Sequence, residues 1–156
     1  MQEITYRLIT PTDDKNIGLI AQWYLNEWNI PVQTTIAKTK ALLPANNEFQ
    51  LLMMVNGKPV ATGGVYTHVG LLDKEPRFNS YKNWLALVYT LPKNRGNGLG
   101  KLLCEEIQNH SKKLGLTEIY LFTHTAESLY KRLGWKKIER ISLAQKDIAV
   151  MKKTLL

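Results

Sequence analysis

Three glycines at alternate positions, Gly96, Gly98 and Gly100, lie directly before a predicted helix. Because glycine has no side chain, the backbone here can pass close to a ligand, and the free N–H groups in the first turn of a helix form an anion site. Arg95 and Lys101 place positive charge on either side of the glycines. This pattern predicts that a pyrophosphate binds where the helix begins.

Two common phosphate-binding patterns do not fit these residues. A P-loop of the kinase type needs Gly-Lys followed by Ser or Thr, but Leu102 follows Lys101. A dinucleotide-binding fingerprint needs the spacing G-x-G-x-x-G, whereas the glycines here are spaced G-x-G-x-G. On this stretch alone, the remaining alternative is a glycine-rich helix start that binds no ligand.

The elements on either side hold the glycines in place. Residues 84–91 form an apolar stretch typical of a strand, and Pro92 stops it. We expect a helix from about Leu99, because apolar residues and one histidine recur at helical spacing: Leu99, Leu103, Ile107, His110 and Leu114. The glycines therefore join the end of a strand to the beginning of a helix.

The rest of the chain alternates between helix and strand patterns. We expect strands at residues 3–10, 49–55, 59–69, 118–123, 135–141 and 146–155, and helices at 17–28, 34–43 and 125–133. Asn56-Gly57 is a strong hairpin-turn signal, and residues 70–80 are expected to form a loop. The predicted order is β-α-α-β-β-β-α-β-α-β-β, in one domain that covers residues 1–156.

The composition is that of an ordinary globular domain, with 44% hydrophobic and 22% charged residues in a chain of 156. No apolar run approaches the ~20 residues that cross a bilayer, and residues 4–9 already form a strand pattern, so we expect no membrane segment and no signal peptide. The single cysteine, Cys104, fits a reducing compartment, and we predict the cytoplasm. The formal charge of +8 could attract nucleic acid, but no run of five like charges and no basic stripe with aromatic residues supports that function.

Two segments resemble the motifs of the GNAT acetyltransferase family. Arg95, Gly98 and Gly100 match its motif A, Arg/Gln-x-x-Gly-x-Gly/Ala, and Pro92 stands where that family commonly has a proline. Residues 126–135 resemble its motif B, A-x-x-hydrophobic-Tyr-x-x-x-Gly-aromatic. Both motifs lie at the family spacing, within the family's own order of elements.

The resemblance implies an α/β fold: a single domain with a mixed, mostly antiparallel sheet of about seven strands, flanked by about four helices. In this family the fourth and fifth strands splay apart, and the pantetheine arm of acetyl-CoA enters the gap. Backbone groups of the fourth strand and the glycine-rich turn would bind this cofactor, and Thr123 stands where the family often has an asparagine that contacts it. The implied cofactor-binding residues are Val88, Tyr89, Thr90, Arg95, Gly96, Asn97, Gly98, Leu99, Gly100, Lys101 and Thr123. No metal is expected.

The family's reaction needs a neutral amine, a held thioester carbonyl and a proton for the leaving thiolate. The resemblance places Tyr130 near the sulfur, and a phenol with a pKa of about 10 carries that proton at neutral pH. Many members have a glutamate base on the fourth strand, but residues 84–91 contain no carboxylate. His124 is the best titratable candidate for the base, with Tyr89 and Glu27 as others. The alternatives are that Tyr130 only packs against the cofactor and that His124 is a hydrogen-bonded turn residue.

The sequence says least about the acceptor of the acetyl group. The implied activity is an N-acetyltransferase, in which a primary amine attacks acetyl-CoA directly in a ternary complex. Asn26-Glu27-Trp28, together with residues 121–124, resembles the branch that acetylates the acidic N-terminus of actin. We therefore expect Glu27, Trp28 and Arg77 to bind substrate, with Lys82 and Lys93 as further candidates to meet acidic groups.

Two other functions stay open. One is acetylation of a small amine such as a polyamine or an aminoglycoside, although polycations prefer acidic pockets and the chain is basic. The other is a catalytically silent CoA-binding module, which the missing carboxylate on the fourth strand would fit. We expect a small-molecule amine or a peptide as partner, no nucleic acid and no membrane, and a monomer or a homodimer.

Overall fold

Seven strands form one mixed sheet in the computed structural model, which describes residues 2–155. The strands are β1 (Ile4–Leu8), β2 (Phe49–Val55), β3 (Lys58–Tyr66), β4 (Trp84–Thr90), β5 (Glu118–Thr123), β6 (Lys136–Leu143) and β7 (Lys146–Thr154). The helices are α1 (Asp14–Trp28), α2 (Val32–Lys40), α3 (Gly70–Lys74), α4 (Leu99–Lys113) and α5 (Glu127–Arg132). The predicted α/β class and the predicted order of the main elements are confirmed.

Helices cover both faces of the sheet, and β2 shows how. Because side chains alternate along a strand, Leu51 and Met53 join the hydrophobic cluster that contains α4, whereas Leu52 joins the cluster that contains α1. A strand buried on both faces needs a nearly continuous apolar sequence, and β2 has one. The turn after β2 is the predicted Asn56-Gly57 hairpin, in which both residues have positive φ, 51° and 78°.

The sheet opens between its fourth and fifth strands. The strand order is β1-β2-β3-β4-β5-β7-β6, and every neighbouring pair is antiparallel except β4 and β5. These two parallel strands are paired only at Trp84 and Tyr120, whereas β5 is paired with β7 along its whole length. Beyond Trp84 the two strands separate, as the family resemblance implied.

Residues 70–80 differ from the predicted loop. They contain α3 and a 3-10 turn, Pro76–Ser80, so that the described residues hold five helices rather than about four. The cause is burial, because Leu71, Leu72 and Phe78 pack with Trp84 in a hydrophobic cluster. Within residues 2–155, no helix is long and apolar enough to cross a membrane.

Candidate active site

The fourth strand contains a bulge where it leaves the fifth. Leu87 and Val88 stand where β3 has only Gly63, because the pairing of β3 with β4 shifts by one residue there. Leu87 has a φ of 59°, in the left-handed region that costs a side chain about 1–2 kcal/mol. A bulge of this kind bends the strand and releases backbone groups from the ladder. Leu87 and Val88 themselves line the opening between β4 and β5.

A buried hydrogen-bond network holds the bulge from behind. The Tyr24 hydroxyl of α1 donates to the carbonyl oxygen of Leu87 at 2.6 Å and accepts from Gln50 Nε2 at 3.0 Å. Gln50 Nε2 also donates to Thr62 Oγ1 at 2.7 Å, and the Tyr66 hydroxyl donates to Gln50 Oε1. Buried polar groups are costly unless they are paired, so this network fixes α1, β2, β3 and the bulge in one arrangement.

The network needs a glycine beside it. A Cβ atom at Gly64 would lie 2.5 Å from the carbonyl oxygen of Phe49 and 2.7 Å from Gln50 Oε1. Neither atom can move without breaking the strand pairing or the network. Gly64 therefore makes room for the side chain of Gln50.

The opening between β4 and β5 forms a cleft of about 620 Å³. One wall is β4 and the other is the end of β5 with the beginning of α5, and α1, α2 and β7 contribute to the rim. The residues that line the cleft are Trp28, Ile30, Lys38, Val69, Gly70, Leu85, Ala86, Leu87, Val88, Leu121, Phe122, Thr123, His124, Thr125, Ala126, Tyr130, Lys146 and Ile148. An apolar cleft with a few polar groups is the usual form of a small-molecule site.

A side cavity of about 260 Å³ adjoins the cleft. Ile30, Lys38 and Leu87 line both spaces, so the two meet at the bulge of β4. The other residues around the side cavity come from α1, α2 and β3: Tyr24, Thr34, Thr35, Thr39 and Tyr66. The site therefore has a main cleft and a smaller branch beneath α2.

The glycine turn, residues 95–101, leads from β4 into α4, as the sequence predicts. Gly96 and Gly98 have φ of 84° and 78°, and Gly98 is the residue before the first turn of α4. The N–H groups of a helix's first turn have no partner within the helix, so they can bind an anion. Gly100 has an ordinary backbone, and a Cβ there would meet only Thr90 Oγ1, at 3.8 Å.

Arg95 anchors this turn to two other elements. Its Nε donates to the carbonyl oxygen of Thr90 at 2.8 Å, and its guanidinium lies 3.2 Å from a carboxylate oxygen of Glu27 on α1. Its guanidinium carbon also lies 5.5 Å from the ring centre of Tyr89. Arg95 therefore fixes the glycine turn against β4 and α1.

These features fit a CoA-like ligand. The edge of β4 that faces β5 is unpaired beyond Trp84, which leaves backbone groups for an extended chain. Thr123 Oγ1 accepts from the N–H of Ala126 at 3.0 Å, so its own hydroxyl hydrogen is left for another acceptor. No group of three or more His, Cys, Asp or Glu side chains in the described part of the chain could hold a metal ion.

Tyr130 projects from α5 into the region where the cleft meets the core. It lines the cleft, and its ring packs edge-on against Trp135, with ring centres 5.8 Å apart. Burial, and the neighbouring Cys104 thiol of α4, raise the pKa of the phenol. Burial likewise raises the pKa of Cys104 to about 12. Tyr130 is therefore a protonated donor at neutral pH, and Cys104 is a neutral thiol.

His124 lies at the end of β5, on the rim of the cleft. Its Nδ1 is 3.0 Å from the carbonyl oxygen of Asp147, which can only accept, so Nδ1 carries a proton in this arrangement. In the neutral imidazole the lone pair then belongs to Nε2. The structure thus sets the tautomer that can accept a proton at Nε2.

The other residues predicted from the sequence lie in different places. Trp28 lines the cleft, but Glu27 is engaged by Arg95, and Tyr89 is buried among the aromatic side chains of α1. Arg77 lies outside both cavities, where its guanidinium pairs with Glu139 and Glu75. Within residues 2–155, His124 is thus the one of the three suggested bases that lines the cleft.

Sequence reasoning missed Lys38 and the network around Gln50. Helical spacing places Thr34 and Thr35 on the same face of α2 as Lys38, which is the signal that could have been used. The network had no such signal, because Tyr24, Gln50 and Thr62 are far apart in the sequence.

The sequence matches the family model described as the acetyltransferase (GNAT) domain over residues 47–137, more than half of the chain. No curated protein sequence matches it. Among solved structures, yncA of Salmonella typhimurium, solved with its cofactor acetyl-CoA, is 15% identical with a TM-score of 0.72, over 98% of this chain and 94% of that one.

Two further structures cover both chains almost completely. The aminoglycoside 6'-N-acetyltransferase of Enterococcus faecium is 14% identical with a TM-score of 0.76, over 97% of each chain. Ard1 of Thermoplasma volcanium is 18% identical with a TM-score of 0.69, over 98% of each chain. At these identities the likeness concerns the fold.

Proposed function

Since this chain belongs to the GNAT acetyltransferase family, we propose that it is an N-acetyltransferase that moves the acetyl group of acetyl-CoA to a primary amine. The observation that carries this proposal is the cleft between β4 and β5, which has the bulge on one wall and Tyr130 on the other. When bound, acetyl-CoA supplies an acetyl thioester that the amine attacks directly, forming the amide and releasing the CoA thiol.

The glycine turn and β4 are proposed to hold the cofactor. The N–H groups of Leu99, Gly100 and Lys101 at the beginning of α4 would bind the pyrophosphate, with the backbone of Gly96 to Gly98 around it. Backbone groups of Val88 to Thr90 and the hydroxyl of Thr123 would bind the pantetheine arm on either side of the opening.

Two side chains are proposed to move protons. Tyr130 donates the proton that the leaving sulfur needs, and the raised pKa of its phenol keeps that proton in place until transfer. His124 accepts the proton of the attacking amine at Nε2, directly or through water, while the carbonyl of Asp147 holds Nδ1–H. The positions of both on the cleft support these roles.

The acceptor is a small amine or the N-terminus of a peptide. The fold likeness to an aminoglycoside 6'-N-acetyltransferase supports the first, since that protein acetylates a small amine. The side cavity beneath α2 could hold either a small molecule or the first side chain of a peptide.

The direct test measures binding and transfer separately. Isothermal titration calorimetry with CoA should show binding, and acetyl-CoA with a panel of amines and N-terminal peptides should release CoA thiol and give an acetylated product. Absence of heat with CoA would remove the basis of the proposal. Binding without transfer to any amine would favour a silent CoA-binding module.

A further inference from the structure

The two cavities carry positive charge and no carboxylate. Among the described residues that line them, Lys38, Lys146 and His124 are the basic side chains, and none is Asp or Glu. A pocket that selects a polycation needs negative charge, because like charges brought together without water between them repel strongly. The lining therefore favours an acceptor that brings negative charge of its own.

Lys38 is the basic residue best placed to receive that charge. It is half-buried on α2, it lines both cavities, and its Nζ lies 4.6 Å from the ring centre of Tyr66. Within residues 2–155, no carboxylate lies within ion-pair distance of it, whereas Lys40 on the same helix pairs with Asp14 at 2.8 Å. Lys38 is thus a cation that is held by an aromatic ring and left open to a ligand.

The burial and the neighbours of Lys38 would suit an anionic ligand beside its Nζ. Burial lowers the pKa of Lys38, and the more distant Glu48 offsets this only in part. An anion beside Nζ would favour the charged form and so reverse the effect of burial. Thr34 and Thr35, one helical turn before Lys38, add hydroxyl groups to the same cavity.

We propose that the acceptor is an amine that also carries a carboxylate, and that Lys38 binds this carboxylate in the side cavity. The inference rests on the proposed function. Leu87 belongs to both spaces, so a carboxylate beneath α2 would direct the rest of the molecule past the bulge into the cleft. The amine would then lie on the side where β4 faces Tyr130.

The test compares acceptors that differ only in charge. In one arm, L-glutamate is compared with its diamide, and in the other, a tetrapeptide that begins Asp-Asp-Asp is compared with one that begins Asn-Asn-Asn. Spermidine serves as the polycation. The first arm detects a free amino acid and the second a peptide N-terminus as the source of the carboxylate.

The variants are Lys38→Met, Lys38→Arg and, as matched control on the same helix, Lys40→Met. We expect Lys38→Met to lower kcat/KM for the charged member of the preferred pair by about 10- to 100-fold, mainly through KM, because a charge-assisted hydrogen bond is lost. The amide member should change little, Lys38→Arg should keep most of the preference, and Lys40→Met should match the wild type. Each acceptor is tested with the wild type and with every variant. Differences in amine basicity between acceptors therefore cancel when a variant is compared with the wild type.

Equal effects of Lys38→Met on both members of a pair, or a preference of the wild type for spermidine, would overturn the inference and leave the proposed function standing. Calorimetry of L-glutamate and the acidic peptide with the CoA complex gives a readout without turnover. If either binds the wild type and not Lys38→Met while no amine is acetylated, the carboxylate site is supported and the acetyltransferase proposal fails.

Discussion

The hydroxyl of Tyr24 and the carbonyl oxygen of Leu87 are joined by a hydrogen bond of 2.6 Å, although 63 residues separate them in the sequence. Leu87 is the residue of β4 with a positive φ, so the bond ties α1 to the least favourable backbone conformation of the strand. The carbonyl is kept in one direction, and the bulge residues Leu87 and Val88 line the cleft. The shape of the cleft at the bulge therefore depends on this contact.

Replacing Tyr24 with Phe should therefore affect both stability and catalysis. It leaves the Leu87 carbonyl and one N–H of Gln50 without partners in the core, which costs about 1–3 kcal/mol in the free energy of unfolding. A bulge that is free to move should also lower kcat roughly tenfold or more, since small displacements of reacting groups are costly. Urea unfolding and steady-state kinetics measure the two effects.

The matched control is Tyr66→Phe. The hydroxyl of Tyr66 donates to Gln50 in the same network but, within residues 2–155, makes no hydrogen bond to β4. This variant should lose stability to a similar degree and keep kcat close to the wild type. Equal losses of kcat in the two variants would show that the network acts only through stability.

The sequence predicts the parts of the site that are local in the chain. The glycine turn is recognisable because Gly96 and Gly98 need a positive φ, and motif B because Tyr130 of α5 packs against Trp135, which lies just beyond the end of that helix. The hairpin at Asn56-Gly57 follows from the same kind of local preference. Each of these depends on neighbours a few residues away.

The parts that escaped prediction depend on distant residues. Leu87 adopts a positive φ only because Tyr24 and the offset pairing with β3 impose it, and leucine gives no sign of this. Residues 70–80 form a short helix and a 3-10 turn because Leu71 and Phe78 pack in the hydrophobic cluster that contains Trp84. Lys38 looks like any surface lysine until α2 is placed over β3. Tertiary contacts decide all three.

Gly98→Ala should weaken CoA binding. An alanine with φ near 78° costs about 1–2 kcal/mol, and relief of that strain would move the N–H groups at the beginning of α4 away from the pyrophosphate. We expect the Kd for CoA to rise about 5- to 30-fold by calorimetry.

Gly115 lies just beyond the other end of α4, with φ of 92° and open space around it, so Gly115→Ala carries a similar strain far from the turn. That control should lower the Tm and leave the Kd unchanged, and a normal Kd for Gly98→Ala would remove the glycine turn from the cofactor site.

Tyr130→Phe tests the proposed acid. Removing the hydroxyl should lower kcat by about 10²- to 10⁴-fold, the usual contribution of a general acid, while the Kd for CoA stays the same. Tyr6 packs against the same core cluster, and its hydroxyl lies 3.4 Å from the carbonyl oxygen of Leu102, so Tyr6→Phe is a matched control that should keep full activity. If Tyr130→Phe turns over as fast as the wild type, Tyr130 packs against the cofactor and does no proton transfer.

The pKa of Cys104 gives a prediction for alkaline pH. Burial raises it from 9.0 to about 12, so between these values the unfolded chain has lost the thiol proton while the folded chain still holds it. Because the folded state then binds more protons than the unfolded state, stability is complete below pH 9 and falls as pH rises towards 12. At about 1.4 kcal/mol for each pKa unit, wild type should lose on the order of 4 kcal/mol that Cys104→Ala does not lose.

The comparison is of the slopes of stability against pH, since Cys104→Ala also removes buried volume at every pH. Urea unfolding at a series of pH values measures both slopes, and Ellman's reagent at pH 8 should leave the thiol of the folded protein unmodified. Parallel slopes, or rapid labelling without unfolding, would mean that the thiol beside Tyr130 ionises as readily in the folded protein as in water.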